Sequence, residues 1–236
     1  MTTQTSATEV AVPAHARGLR WVVAVVRTAR PRQWPKNLLV FAAPLAGASL
    51  GRRDGLLYAL VAAAAFGFAS VAVYFVNDVV DAERDRLHPR KRNRPVASGA
   101  LPKQHAVALG AVCAAIGLSA GLLITEPLLI ATVAGYLSLS FLYSLVLKQI
   151  PVIEVMFLAS GFLLRVLGGA AATHVPPSGY FLLVCSLGAL MVAIAKRYTE
   201  LTVLGADAAT HRPAMRGYSA PVLRLTQRAV SLIICS

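Results

Sequence analysis

The feature that most constrains this chain is the alternation of long apolar runs with short basic loops. A helix rising 1.5 Å per residue crosses the hydrocarbon core of a bilayer in about 20 apolar residues. Runs of that kind fall at 35–50, 56–76, 104–124, 128–147, 152–172, 179–195 and 221–236. They predict an all-α fold, a polytopic transmembrane helical bundle with about seven spans. The composition agrees, with 57% hydrophobic and only 14% charged residues, the latter about half the usual share. Soluble enzymes, disordered chains and disulfide-rich secreted domains are poor fits. The first run is short and holds Pro35 and Pro44, so it is expected to begin in a re-entrant or interfacial segment. Before it, Leu19 to Arg30 mixes apolar residues with Arg20, Arg27 and Arg30, a pattern for an amphipathic helix on the membrane surface. Residues 1–16 are expected to be a disordered cytosolic tail, and 17–236 the transmembrane domain. The last run stops at Ser236 without a polar tail, which suggests truncation at the C-terminus.

The net charge of +13 would suggest nucleic acid in a soluble protein. Here the basic residues sit between apolar runs and read as a topology signal, with no nucleic-acid partner. Residues 17–36 hold six Lys/Arg, 77–103 seven, 196–219 four, and Lys148 marks another turn on that side. The opposite loops hold only Arg52 and Arg53. The positive-inside rule therefore places the N-terminus and the charged loops in the cytosol. Cys113, Cys185 and Cys235 each lie in an apolar run and are read as packing residues, not as a disulfide or zinc site.

The segment after the second run reads NDVVDAERDRLHPRKRNRP, Asn77 to Pro95. If the helix continues past the membrane face, Asn77, Asp78, Asp81 and Asp85 fall within an arc of about 100°, while Glu83 points away. Carboxylates on one stripe repel each other unless a cation lies between them. Hard oxygen ligands suit Mg²⁺, which usually keeps waters and shares phosphate oxygens with a substrate. The stripe predicts a Mg²⁺–diphosphate site at the membrane–cytosol boundary, with Asp78, Asp81 and Asp85 on the metal and Asn77 beside them. The competing reading is a solvated helix end whose acids pair with Arg84, Arg86 and Arg90.

Arg165 lies inside the fifth run and Glu154 near its cytosolic end, about 16 Å apart along one face. A charge at that depth normally faces a cavity or a partner, so Arg165 is a candidate substrate-phosphate contact or half of a structural ion pair. Lys36, Lys148, Lys196 and Arg197 abut spans at the cytosolic face, and Lys91 and Arg94 lie in the basic loop. All are candidates to surround one mouth, with Tyr143 beside Lys148.

NDxxDxxxD after a membrane helix resembles the first aspartate-rich motif of the UbiA-type intramembrane prenyltransferases. RPRQWPKN (Arg30–Asn37), YSLVLK (Tyr143–Lys148) and FLLRVLGG (Phe162–Gly169) are in the same style, so the resemblance runs over most of the chain. It implies a UbiA-like bundle of nine helices, a chain longer than this one, and Mg²⁺ as cofactor. Typical members carry a second DxxxD after the sixth helix, where this chain has KRYTE, Lys196 to Glu200. That exchange resembles the decaprenyl-phosphate phosphoribosyltransferase branch. The resemblance then implies transfer of 5-phosphoribose from phosphoribosyl pyrophosphate (PRPP) to a polyprenyl phosphate, with release of pyrophosphate, for cell-wall arabinan precursors. It also implies a plasma-membrane protein with its site facing the cytosol. Lys196 and Arg197, with Glu200, would bind phosphate directly where relatives hold a second metal. Two other readings stay open: a prenyltransferase with an aromatic acceptor, and a membrane transporter.

Overall fold

The computed structural model describes residues 14–147 and 151–204, with 221, 225 and 226. Helix dominates the described residues: α1 (Ala14–Ala29), a 3-10 helix over Pro31–Phe41, α2 (Ala42–Ala46), α3 (Arg53–Val80), α4 (Ala82–Arg86), α5 (Lys103–Leu123), α6 (Pro127–Leu142) continued by a π-helical turn over Tyr143–Leu147, α7 (Pro151–Ala172) and α8 (Gly179–Leu204). Among the described residues, five helices are long and apolar enough to cross a membrane: α3, α5, α6 with its π-turn, α7 and α8. They match the second to sixth apolar runs, and the protein is a multi-pass membrane protein. Most of the seventh run, 221–236, and most of the N-terminal tail lie outside the described residues. Helix α1 begins at Ala14, inside the stretch expected to be disordered.

The first run, 35–50, is not a single span of ordinary α-helix. It is the 3-10 helix followed by the five residues of α2. Even so, it travels the length of α3. Arg30 pairs with Asp78 near one end of α3, Asn37 accepts from Ser70 in its middle, and the Ser49 carbonyl lies against Gly55 at its start. The physical reason is rise. A 3-10 helix advances about 2.0 Å per residue, so Pro31–Ala46 covers about 30 Å where an α-helix would cover about 24 Å. Pro35 inside the segment has no N–H to give to an α-helical ladder.

Helix α3 is the hub and touches the 3-10 helix, α1, α5, α6 and α7. Its small residues allow this. Ala62, Ala65, Ala69 and Ala72 are fully buried, and a side chain at Gly117 of α5 would stand 2.9 Å from the Ala65 carbonyl. Small residues matter in lipid because association there depends on close packing instead of water exclusion. Helix α7 uses the same device: a Cβ on Gly168 would collide with the Phe66 ring, and one on Gly169 with the Val40 carbonyl. The paired glycines of FLLRVLGG thus seat α7 against both α3 and the 3-10 helix.

At the acid-bearing end, α1 lays Ala24 against Phe75, Val96 and Leu101. It leaves Leu19, Val22, Val23 and Val26 exposed, the apolar stripe expected of an interfacial helix. Helix α3 stops at Asp81, and the short α4 carries the chain one further turn to Arg86.

Candidate active site

A cavity of about 160 Å³ opens between the 3-10 helix, α3, α6 with its π-turn, and α7. It gathers four of the residues expected from sequence, Lys36, Asn77, Tyr143 and Arg165. Leu139, Phe157, Leu158 and Phe162 supply apolar wall. The π-turn, a distortion frequent at functional sites, places Tyr143 on this wall, where its ring stacks on Phe157 at 6.0 Å.

Arg165 is 5% exposed and held on several sides. Its Nε donates to Asn37 Oδ1 at 2.9 Å and its Nη1 to the Gly161 carbonyl at 2.6 Å. Its Nη2 donates to Ser70 Oγ at 3.0 Å and Tyr136 Oη at 3.1 Å. The guanidinium also sits over the Tyr136 ring, 4.6 Å from its centre. All these partners are neutral, so the charge is held in place and not cancelled. The side chain of Glu154 lies outside the described residues.

At the other end the acid stripe is divided. Asp78 and Asp85 are each 2% exposed. Arg30 pairs with Asp78, and Arg94 reaches Asp85 at 2.7 Å and Asp78 at 3.6 Å. Arg30 sits in the left-handed region, φ 50°, immediately before Pro31. That backbone is unfavourable for a residue with a side chain. The Asp78 pair and a stack over the Tyr74 ring, 5.1 Å from its centre, hold it there. Among the described residues no three acids gather as a metal cluster, so the expected trio of Asp78, Asp81 and Asp85 does not close on one point. The reason is electrostatic: two of the three are matched to arginines.

Asn77 and Asp81, one helical turn apart, are the better fit to an ion. The Asn77 side-chain oxygen is buried without a hydrogen-bond partner, and Asp81 is half-buried at the end of α3. Mg²⁺ is commonly held by one or two carboxylates with water and substrate phosphate, which this pair could begin.

Glu83 is exposed, as expected, and clasps Lys103 Nζ at 2.6 Å and Arg86 Nη1 at 2.7 Å. The Lys103 hydrogen bond, then Arg86, holds its carboxyl below the usual range. A depressed carboxylate stabilises the fold above its unfolded value and loses that contribution as pH falls through the folded one, so the clasp is complete at neutral pH.

Other expected residues lie apart. Lys91 is exposed in a short turn, and Lys196 is exposed on α8 and does not line the cavity. Lys148 and the side chains of Arg197 and Glu200 lie outside the described residues. Cys113 and Cys185 are free and pack among apolar residues. Sequence reasoning missed Arg30 as a partner of the acid stripe, and Asn37, Ser70 and Tyr136 as the cage of Arg165. The available signal was a polar side chain within an apolar run, which must find a partner away from water.

Residues 37–234 match the UbiA prenyltransferase family. A decaprenyl-phosphate phosphoribosyltransferase of Mycobacterium tuberculosis is 37% identical over 220 residues, 91% of this chain and 72% of that one. A protein of the same name from Mycolicibacterium smegmatis is 36% identical over 220 residues, 91% of this chain and 69% of that one. Among solved structures, a UbiA homologue from Archaeoglobus fulgidus bound to GPP and Mg²⁺ superposes with a TM-score of 0.74 at 20% identity, over 89% of this chain and 75% of that one. The helical architecture, the acid-bearing helix end and these matches agree: the chain belongs to the UbiA prenyltransferase family.

Proposed function

We propose that this protein transfers the 5-phosphoribosyl group of PRPP to a polyprenyl phosphate, releasing pyrophosphate, at the cytosolic face of the plasma membrane. The relatives named above supply the reaction class. The observation that carries it on this chain is the cavity: two cations, Lys36 and Arg165, line a space with no acidic residue among its described lining residues. Such a site suits an anionic, phosphorylated ligand.

In the reaction the C1–O bond to pyrophosphate breaks, and an oxygen of the acceptor phosphate bonds to C1. The acceptor is already an anion, so no strong general base is needed. Asn77 and Asp81 would hold Mg²⁺, which would supply Lewis-acid stabilisation of the departing pyrophosphate's charge. Asp78 and Asp85 fix Arg30 and Arg94 at the end of α3 that carries Asn77 and Asp81. Apolar walls exclude the water that would otherwise hydrolyse the donor.

The test supplies radiolabelled PRPP and polyprenyl phosphate to the purified protein, with a prenyl diphosphate and an aromatic acceptor in a parallel reaction. Labelled lipid from PRPP alone is expected. Product from the prenyl diphosphate alone overturns the assignment.

A further inference from the structure

The face of the bundle away from the acid stripe carries a buried carboxylate for which the reaction has no use. Glu126, in the turn between α5 and α6, is 7% exposed. Its Oε1 accepts from the Leu128 N–H at 3.1 Å and caps α6. Its Oε2 lies 3.4 Å from Nδ1 of His174, in the turn after α7. The imidazole is otherwise exposed to solvent and meets Tyr58 of α3 edge to face, ring centres 6.4 Å apart.

His174 stands where a helix end usually has glycine. The Val175 N–H donates back to the Ala170 carbonyl and the His174 N–H to that of Ala171, the two bonds that close a helix around one left-handed residue. That residue is His174, φ 54°. Glycine would take this backbone without strain, so the imidazole is present at a cost to the local fold. Thr125, just before Glu126, is left-handed as well, φ 51°. The negative end of the α7 dipole and the carboxylate face one imidazole, while the positive end of the α6 dipole faces the carboxylate. Tyr58 and Glu126 are the titratable groups set against His174. Arg52, Arg53 and Asp54 at the start of α3 and Tyr180 on α8 belong to the same face, and among the described residues none of them pairs with His174 or Glu126.

We propose that Glu126 and His174 form a proton-dependent clasp, which joins the α5–α6 turn to the α7–α8 turn and closes as the pH on that side of the membrane falls. Imidazole gains its charge between about pH 5 and 8. A proton from water on that face adds to the free ring nitrogen, both nitrogens then carry hydrogen, and Nδ1–H donates to Oε2 within an ion pair. A charge-assisted bond spans about 2.7–2.9 Å, so the present contact has room to close. Val175 carries the closure further: a Cβ on Gly47 would stand 2.5 Å from its Cγ1, so the same turn seats the end of α2. The clasp stands apart from the transfer site and does not rest on the function proposed above.

The experiment places the full chain in proteoliposomes, without its native thiols and with Thr173→Cys. Thr173 is 9% exposed beside His174, so an impermeant methanethiosulfonate added outside reaches the thiol only when the turn opens. It reports only on molecules with this face outward. Labelling is compared with and without His174→Asn, because asparagine accepts the left-handed backbone and gains no charge. The ratio of the two rates at one pH cancels the thiol's own titration. With the lumen at about pH 7.5, His174→Asn should label at nearly the parent rate at an outer pH of about 8. At about pH 6 it should label roughly fivefold faster, the gain expected of a part-exposed ion pair at two helix ends. Glu126→Gln should give the same rise and add nothing to His174→Asn. A ratio that ignores outer pH reduces the pair to packing and overturns the proposal, as does one that follows the lumenal pH.

Hydrogen exchange supplies a measurement without the cysteine. Peptides covering 124–128 and 172–176, with the native threonine, should exchange more slowly than in His174→Asn at about pH 6 and equally at about pH 8. The same difference at both pH values overturns the clasp, even where the cysteine variant fails to fold.

Discussion

Four acids stand within seven residues of one another, and the structure sets them in different surroundings. Asp78 and Asp85 are buried against Arg30 and Arg94. Removing one carboxylate strands an arginine; a fully buried pair would cost about 3–5 kcal/mol, and the part-exposed arginines reduce that to about 2–3 kcal/mol. Asp85→Asn should therefore lower the melting temperature of the purified protein as well as its turnover. Under the metal role proposed for Asp81, Asp81→Asn should cut turnover and Mg²⁺ dependence, and a folded variant with normal turnover and unchanged Mg²⁺ dependence would refute that role. Glu83→Gln, at the exposed clasp, should leave turnover unchanged at neutral pH. The spacing of Asn77, Asp81 and Asp85 was readable because a helix repeats every 3.6 residues. Which acid an arginine would claim was not, since Arg30 and Arg94 arrive from segments that the spacing does not describe.

The 3-10 helix and α7 form one unit around Val40 and Gly169. Any side chain at Gly169 meets the Val40 carbonyl, and that contact sets the height at which Asn37 meets Arg165. Gly169→Val should reduce folded yield sharply in a fluorescence-detected gel-filtration assay. Gly188→Ala, on α8 with nothing within 4 Å, should match wild type, and similar behaviour of the two variants would contradict the packing argument. Sequence patterning located this element through its short apolar run and its prolines. Its conformation was hidden, because hydropathy counts residues while a membrane measures length. The long helices α3 and α5 to α8 were legible because their apolar runs are continuous. The cage of Arg165 was not, since Asn37, Ser70 and Tyr136 are scattered over three helices and only the fold brings them together.

At the scale of the whole molecule, the basic loops and the path of the helices make one statement about sidedness. Single cysteines introduced at Arg92 and Ser178, in a background without the native thiols, should react with an impermeant reagent from opposite faces of the membrane. Reaction from the same face would overturn the order of crossings. The cage also carries a consequence for how the protein is made. Asn37, Ser70 and Tyr136 all precede Arg165 in the chain, so the ribosome delivers the three neutral partners to the bilayer before the charge they hold. An arginine at the centre of a lone helix disfavours insertion by roughly 2.5–3.5 kcal/mol. Helix α7 synthesised alone should therefore enter membranes poorly in a glycosylation-mapping assay, and preceding it with residues 1–147 should restore insertion. Asn37→Ala with Ser70→Ala should weaken that rescue. The order of the polar residues along the chain would then serve as an assembly schedule as well as a binding site.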